Sequence, residues 1–108
     1  MKHPKTLKIG YENYEIEYWP PTHATTTEAY GEFFAKEKKI GIDGAQTGAS
    51  LVNTMIHEAM HGICFHQGMQ LKDDEEERIV NSMANGITQL LKDNPYLVDW
   101  IKGTIHKP

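Results

Sequence analysis

The chain has a single cysteine, Cys64. With no second thiol it can form neither an internal disulfide nor a four-cysteine zinc site. It also lacks a long apolar run. Nothing approaches the roughly 20 residues that a membrane-spanning helix needs, so no membrane partner is expected. Positive charge is in short supply. Eleven Lys+Arg face 15 Asp+Glu, a net charge of −4, which argues against a nucleic-acid binder working by phosphate neutralisation. Met1-Lys2-His3-Pro4-Lys5-Thr6 carries charge with no apolar stretch behind it. No signal peptide is therefore expected, and a cytoplasmic location is. What the chain does have is enough apolar material (39% of 108 residues) for the core of one domain spanning 1–108. It also has six histidines, and their placement carries the information.

The first third reads as strand and turn. Leu7 and Ile9 precede a hairpin turn at Gly10 to Asn13, and Tyr14, Ile16 and Tyr18 then alternate with Glu15 and Glu17, the period of two of a half-buried strand. Pro20 and Pro21 stop that strand, and Thr22 to Glu28 forms a polar connection. Tyr30, Glu32 and Phe34 suggest a third strand, Lys36 to Lys39 a charged turn, and Ile40 and Ile42 a short fourth strand ending at Asp43-Gly44. The second half is helical. Leu51, Val52, Met55, Ile56, Ala59, Met60 and Ile63 recur at spacings of three and four between about Thr47 and His66, and Gly68 is a C-terminal stop. A second helix starts at Asp73 and Asp74. Its first turn holds Glu75 to Glu77, where the helix dipole favours negative charge, and its apolar set is Ile79, Val80, Met83, Ile87, Leu90 and Leu91. Asn94-Pro95 opens a third helix through Trp100 that Gly103 should end. The expected fold is α+β: a small, mostly antiparallel sheet packed on the first helix, with the second helix crossing it.

Inside the first helix lies His57-Glu58-Ala59-Met60-His61, an H-E-x-x-H motif. Residues four apart stand one above the other on a helix, so both imidazoles can point at one ion. Glu58 is about 100° around the helix, beside the metal and not on it, where it can take a proton from a metal-activated water. A catalytic zinc needs a third protein ligand and an open position for water. The acidic cluster Glu75, Glu76 and Glu77, one loop away, is the obvious source, although such charges also serve simply to complement the helix dipole.

These residues resemble a known family. His57-Glu58-x-x-His61, followed by Glu77-x-x-Val80-Asn81-x-Met83-Ala84, is similar to the zincin metallopeptidases with a glutamate third ligand, the gluzincins. More closely it resembles small phage-type zincins and the ImmA/IrrE-like peptidases, which carry a Glu-x-x-Ala-Asn-x-Phe-Ala pattern on the second helix. The likeness runs from about Tyr30 to Trp100, with Val80 and Met83 standing where the family has alanine and phenylalanine. The resemblance implies a minimal zincin-like fold with one zinc ion per chain. In it His57, His61 and Glu77 are the ligands, Glu58 is the general base and Asn81 steadies a ligating histidine from behind. It further implies hydrolysis of peptide bonds in a peptide or protein substrate, in a host cytoplasm if the chain is phage-encoded. Burial alone would choose Glu76 as third ligand, because on a helical wheel it falls amid Met83, Ile87 and Leu90, while Glu77 falls at the edge of that stripe. The family pattern chooses Glu77.

Two other readings compete. One is a zinc-binding interaction module of this fold without proteolytic activity, against which the presence of Glu58 speaks. The other is a helix pair with no metal. Cys64 is expected to be a small buried thiol, and Gly62 to permit close approach of another element. His66 points away from His57 and should be a surface or capping residue. His3, His23 and His106 should be surface residues, with His23 the one remote site candidate. Tyr11, Tyr14, Tyr18, Trp19 and Tyr30 are expected mostly in core or hairpin packing. If the Ile40–Ile42 strand is the sheet edge beside the cleft, an extended peptide could pair with it.

Overall fold

The computed structural model describes residues 1–20 and 30–108; the polar connection of residues 22–28 and His23 lie outside the described residues. Four strands, β1 (Thr6–Ile9), β2 (Glu12–Trp19), β3 (Gly31–Phe34) and β4 (Lys39–Asp43), precede three helices, α1 (Gly48–His66), α2 (Asp73–Asp93) and α3 (Pro95–Thr104). The fold is α+β, and the strands form one sheet in the order β1-β2-β4-β3. The pairs β1–β2 and β3–β4 are antiparallel, while β2 and β4 run parallel, with Ile16 opposite Ile40 and Tyr18 opposite Ile42. The β1–β2 hairpin closes through Gly10, whose φ of +62° suits the first position of a tight primed turn.

One face of the sheet forms the core. Ile9, Tyr14, Ile16, Ile40 and Ile42 are buried there, and Leu51, Met55 and Ala59 of α1 pack onto them with Leu7, Tyr18 and Phe33. Each isoleucine so buried contributes about 2–3 kcal/mol. The alternation of β2 gives this directly: Tyr14 and Ile16 point inward, Glu15 and Glu17 outward. On the opposite face the Trp19 ring lies against Gly41, where a side-chain Cβ would collide with it.

The position of β4 corrects one expectation. Ile40–Ile42 is not the sheet edge. It is interior, flanked by β2 and β3, and β3 is the edge among the described strands. The physical reason is burial on both faces: Ile40 and Ile42 sit under α1, and Gly41 sits under Trp19. Ile-Gly-Ile reads in sequence as half-exposed alternation because the tryptophan covering the glycine comes from another strand.

Helix α1 ends as the sequence predicts. Gly68 has φ +66°, its N–H donates to the Phe65 carbonyl at 3.2 Å, and the Met69 N–H donates to the Cys64 carbonyl at 3.0 Å, the paired bonds of a glycine-terminated helix. After a short loop α2 returns antiparallel along α1, with Asn53 bonded to Asn85 near one end and His61 to Glu76 near the other. Its buried residues are Val80, Ala84 and Thr88. Asn94 serves the end of α2, its side-chain amide donating to the Leu90 carbonyl at 2.8 Å. α3 runs one residue past the expected stop at Gly103, to Thr104. His66, expected at the surface, is half-buried, and its Nε2 shares a hydrogen bond of 2.6 Å with the Tyr14 hydroxyl. No helix among the described residues is long and apolar enough to cross a membrane.

Candidate metal centre

The helical repeat sets His57 above His61 on α1, with ring centroids 5.0 Å apart and edge to face. The antiparallel return of α2 lays its first turns across them. Glu77 Oε1 lies 2.8 Å from His57 Nε2, and Glu77 Oε2 lies 3.0 Å from His61 Nε2. One ligand atom from each of His57, His61 and Glu77 lies within 4.8 Å of the others, so the three can hold a metal ion. Two imidazoles and a carboxylate are a donor set suited to zinc with one position left open. The other nitrogen of His61, Nδ1, is 2.6 Å from Glu76 Oε2.

The rotation of α2 explains which glutamate meets the histidines. The face of α2 turned to α1 is the column Val80, Ala84 and Thr88. Glu77 lies about 60° from Val80 on the wheel, within about 20° of Ala84. Of the apolar set expected in the core, Val80 is buried and Ile87 half-buried, but Ile79, Met83 and Leu90 are 40–51% exposed. The small side chains of the true contact column let the two helices approach closely enough for a glutamate to bridge them.

Glu58 projects from α1 towards the edge strand and is only 6% exposed. Burial pushes its pKa from 4.5 up to about 7, with His61 pulling it down and Glu77 and Glu32 pushing it further up. The carboxylate fits because residue 31 is glycine. A Cβ there would stand 2.8 Å from Thr54 Cγ2 and 3.0 Å from Glu58 Oε2.

A groove follows β3 on either side of the site. One half, about 430 Å³, is lined by uncharged polar groups including Gln46, Asn53, Thr54 and Asn81. The other, about 300 Å³, is lined by Glu32, Phe33, His61 and Glu76, and Gly31, His57, Glu58 and Glu77 border both. The Gln46 side chain braces the first half, donating to the Tyr30 carbonyl at 3.3 Å and accepting from Thr54 Oγ1 at 2.7 Å. The Asp43 N–H donates to the Tyr30 carbonyl at 2.8 Å. By antiparallel alternation the peptide groups of Tyr30, Glu32 and Phe34 therefore face β4, and those of Gly31 and Phe33 face away from the sheet.

Of the residues singled out from sequence, His57, His61 and Glu77 come together with Glu58 beside them. Asn81 is exposed on the wall of the groove. The residue that holds a histidine's outer nitrogen is Glu76, not Asn81. Cys64 is buried, and burial pushes its thiol pKa up. Gly62 meets side chains of the sheet: a Cβ there would stand 2.8 Å from Ile9 Cδ1 and 3.1 Å from Phe33 Cε1. Tyr14 and Trp19 are buried, but Tyr11 and Tyr30 are largely exposed. Gly31, Gln46 and the role of Glu76 were not legible in advance. The only signal for Glu76 is its place beside Glu77 in the first turn of α2. No protein-family model, curated protein or solved structure matches the chain.

Proposed function

We propose that the chain is a zinc-dependent metallopeptidase of minimal gluzincin type, with His57, His61 and Glu77 holding one zinc ion and Glu58 acting as general base. The observation that carries this reading is the convergence of two imidazole Nε2 atoms on the Glu77 carboxylate beside the buried Glu58 carboxylate. When bound, zinc supplies Lewis acidity for the substrate carbonyl and makes water nucleophilic at neutral pH. Glu58 takes the proton from the attacking water and passes it to the nitrogen of the leaving amine. A pKa near neutrality suits both transfers. The outward-facing peptide groups of Gly31 and Phe33 suit an extended substrate added as a further strand, with its scissile carbonyl carried over His57 and Glu58. The substrate is a peptide or protein met in the cytoplasm (host cytoplasm if the chain is phage-encoded), and nucleic acid and membrane are not partners.

Elemental analysis of protein purified without a histidine tag tests the metal, with one zinc per chain expected. Uptake should weaken below about pH 6, since ligating histidines must be deprotonated. Glu58→Gln should keep the zinc and slow cleavage of a peptide library by about 10²–10⁴-fold. Loss of zinc in that variant would make Glu58 a ligand or structural residue. Zinc with no cleavage by the wild type would favour the interaction module without proteolytic activity.

A further inference from the structure

We infer that Glu76 is a positioning residue for the metal centre, its carboxylate holding His61 with the proton on Nδ1 and the lone pair of Nε2 free for the ion. The inference rests on the zinc reading above. Its basis is the 2.6 Å contact between Glu76 Oε2 and His61 Nδ1, opposite the 3.0 Å contact between His61 Nε2 and Glu77 Oε2. Consecutive glutamates project about 100° apart on a helix. Here that divergence lets Glu76 and Glu77 straddle one imidazole, each at its own nitrogen. An ionised carboxylate only accepts, so with Nε2 given to the ion the nitrogen facing Glu76 is the donor.

The same geometry separates Glu76 from the ligands. It stands behind the ring, on the nitrogen turned away from His57 and from the side of Glu77 that bridges the two histidines. It therefore steadies the ring without sharing the ion, as outer carboxylates do behind metal-bound histidines. Its side chain is 26% exposed, against 59% for Glu77, and the His61 side chain is 15% exposed. The contact is thus shielded on the side where strain on the ring would matter, while the ligand carboxylate stays open to the groove.

Zinc titration of the metal-free protein tests this, comparing wild type with Glu76→Ala, Glu76→Gln and Glu77→Ala, with a thermal melt of each metal-free form. Glu76→Ala should bind zinc about 10–100-fold more weakly than wild type with its melt unchanged, and Glu77→Ala should lose more. Glu76→Gln keeps an acceptor at Nδ1 without the charge and should fall between wild type and Glu76→Ala. In ¹⁵N spectra of the zinc-loaded wild type, His61 should show one tautomer with Nδ1 protonated. Metal-free Glu76→Ala should show a mixture. A wild type that takes no zinc overturns the zinc reading itself. A wild type that takes zinc, with Glu76→Ala equal to it, overturns the role of Glu76 alone. A loss as large as that of Glu77→Ala would make Glu76 a ligand, and equal losses in the Ala and Gln variants would reduce its effect to distant charge; either result overturns the inference. If Glu76→Ala does not fold, Glu76→Gln and the ¹⁵N tautomer decide.

Discussion

The sheet closes its apolar face beneath α1, while α2 and α3 leave most of theirs in water. Ile40 and Ile42 are fully buried and Tyr14 nearly so. On α2 only Val80, Ala84 and Thr88 are buried, and on α3 no residue is. The two parts also differ in what they give the candidate site. α1 supplies His57, Glu58 and His61 from a helix held on one side by the sheet and on the other by α2. α2 supplies Glu77 from a helix whose main packing partner among the described residues is α1. The site thus lies on the seam between a closed core and an open layer, and its carboxylates repeat the contrast: Glu58 is buried and Glu77 is exposed. A ligand at such a seam need not sit in the best apolar stripe of its helix. It needs only to lie on the face where the helix meets its neighbour.

The largest effect that can break this contrast is in the core. Ile40→Ala removes a fully buried side chain from the middle of the sheet and should cost about 2–5 kcal/mol in chemical denaturation. A cost of a few tenths would mean that the sheet is no better closed than the outer helices.

How much of this was legible in the residues differs between the same two parts. The histidine pair and the glutamate beside it follow from the helical repeat, which is local, and Gly68 marks the end of α1 through its own backbone geometry. The strands came from alternation at β2 and turn chemistry at Gly10. The order of strands did not, because β4 lies beside β2 through a crossover that no local pattern encodes, and because Trp19 hides Gly41 from a distance of more than twenty residues. The rotation of α2 was hidden for a related reason. A helix with apolar residues around much of its circumference offers two candidate faces. The choice fell to the narrow one, Val80 with Ala84, that fits α1. The wheel therefore favours Glu76, and only the resemblance favours Glu77.

A smaller effect sharpens the contrast between the two carboxylates. The pKa of Glu58 is raised by folding, from 4.5 to about 7. Below pH 4.5 both folded and unfolded chains hold the proton, and stability does not depend on this group. Between pH 4.5 and 7 the unfolded chain loses it while the folded chain keeps it, so stability falls as pH rises; above about 7 the penalty is complete. The total is about 3 kcal/mol from the 1.36 kcal/mol carried by each pKa unit. Denaturation of metal-free wild type and Glu58→Gln from pH 4 to 8 should show the wild type losing that margin relative to the variant. A constant difference would place the Glu58 carboxylate in water and not against Gly31.

The smallest effect tests the rotation of α2, on which the choice of ligand depends. Met83 is 50% exposed and Val80 is fully buried. Met83→Ala removes little buried surface and places a strong helix former at a solvent position, so its cost should stay within about 0.5 kcal/mol. Val80→Ala removes two buried methyl groups and leaves a cavity against α1, at a cost of about 1–2.5 kcal/mol after the better helix propensity of alanine is subtracted. The order of the two matters more than either value. If Met83→Ala proved the costlier change, α2 would be turned towards the stripe of Met83, Ile87 and Leu90. Glu76 would then point into the seam between the helices, and Glu77 would swing away from His57. With Val80 the costlier, Glu77 shares the contact face with Ala84, and the first turn of α2 brings it to both histidines.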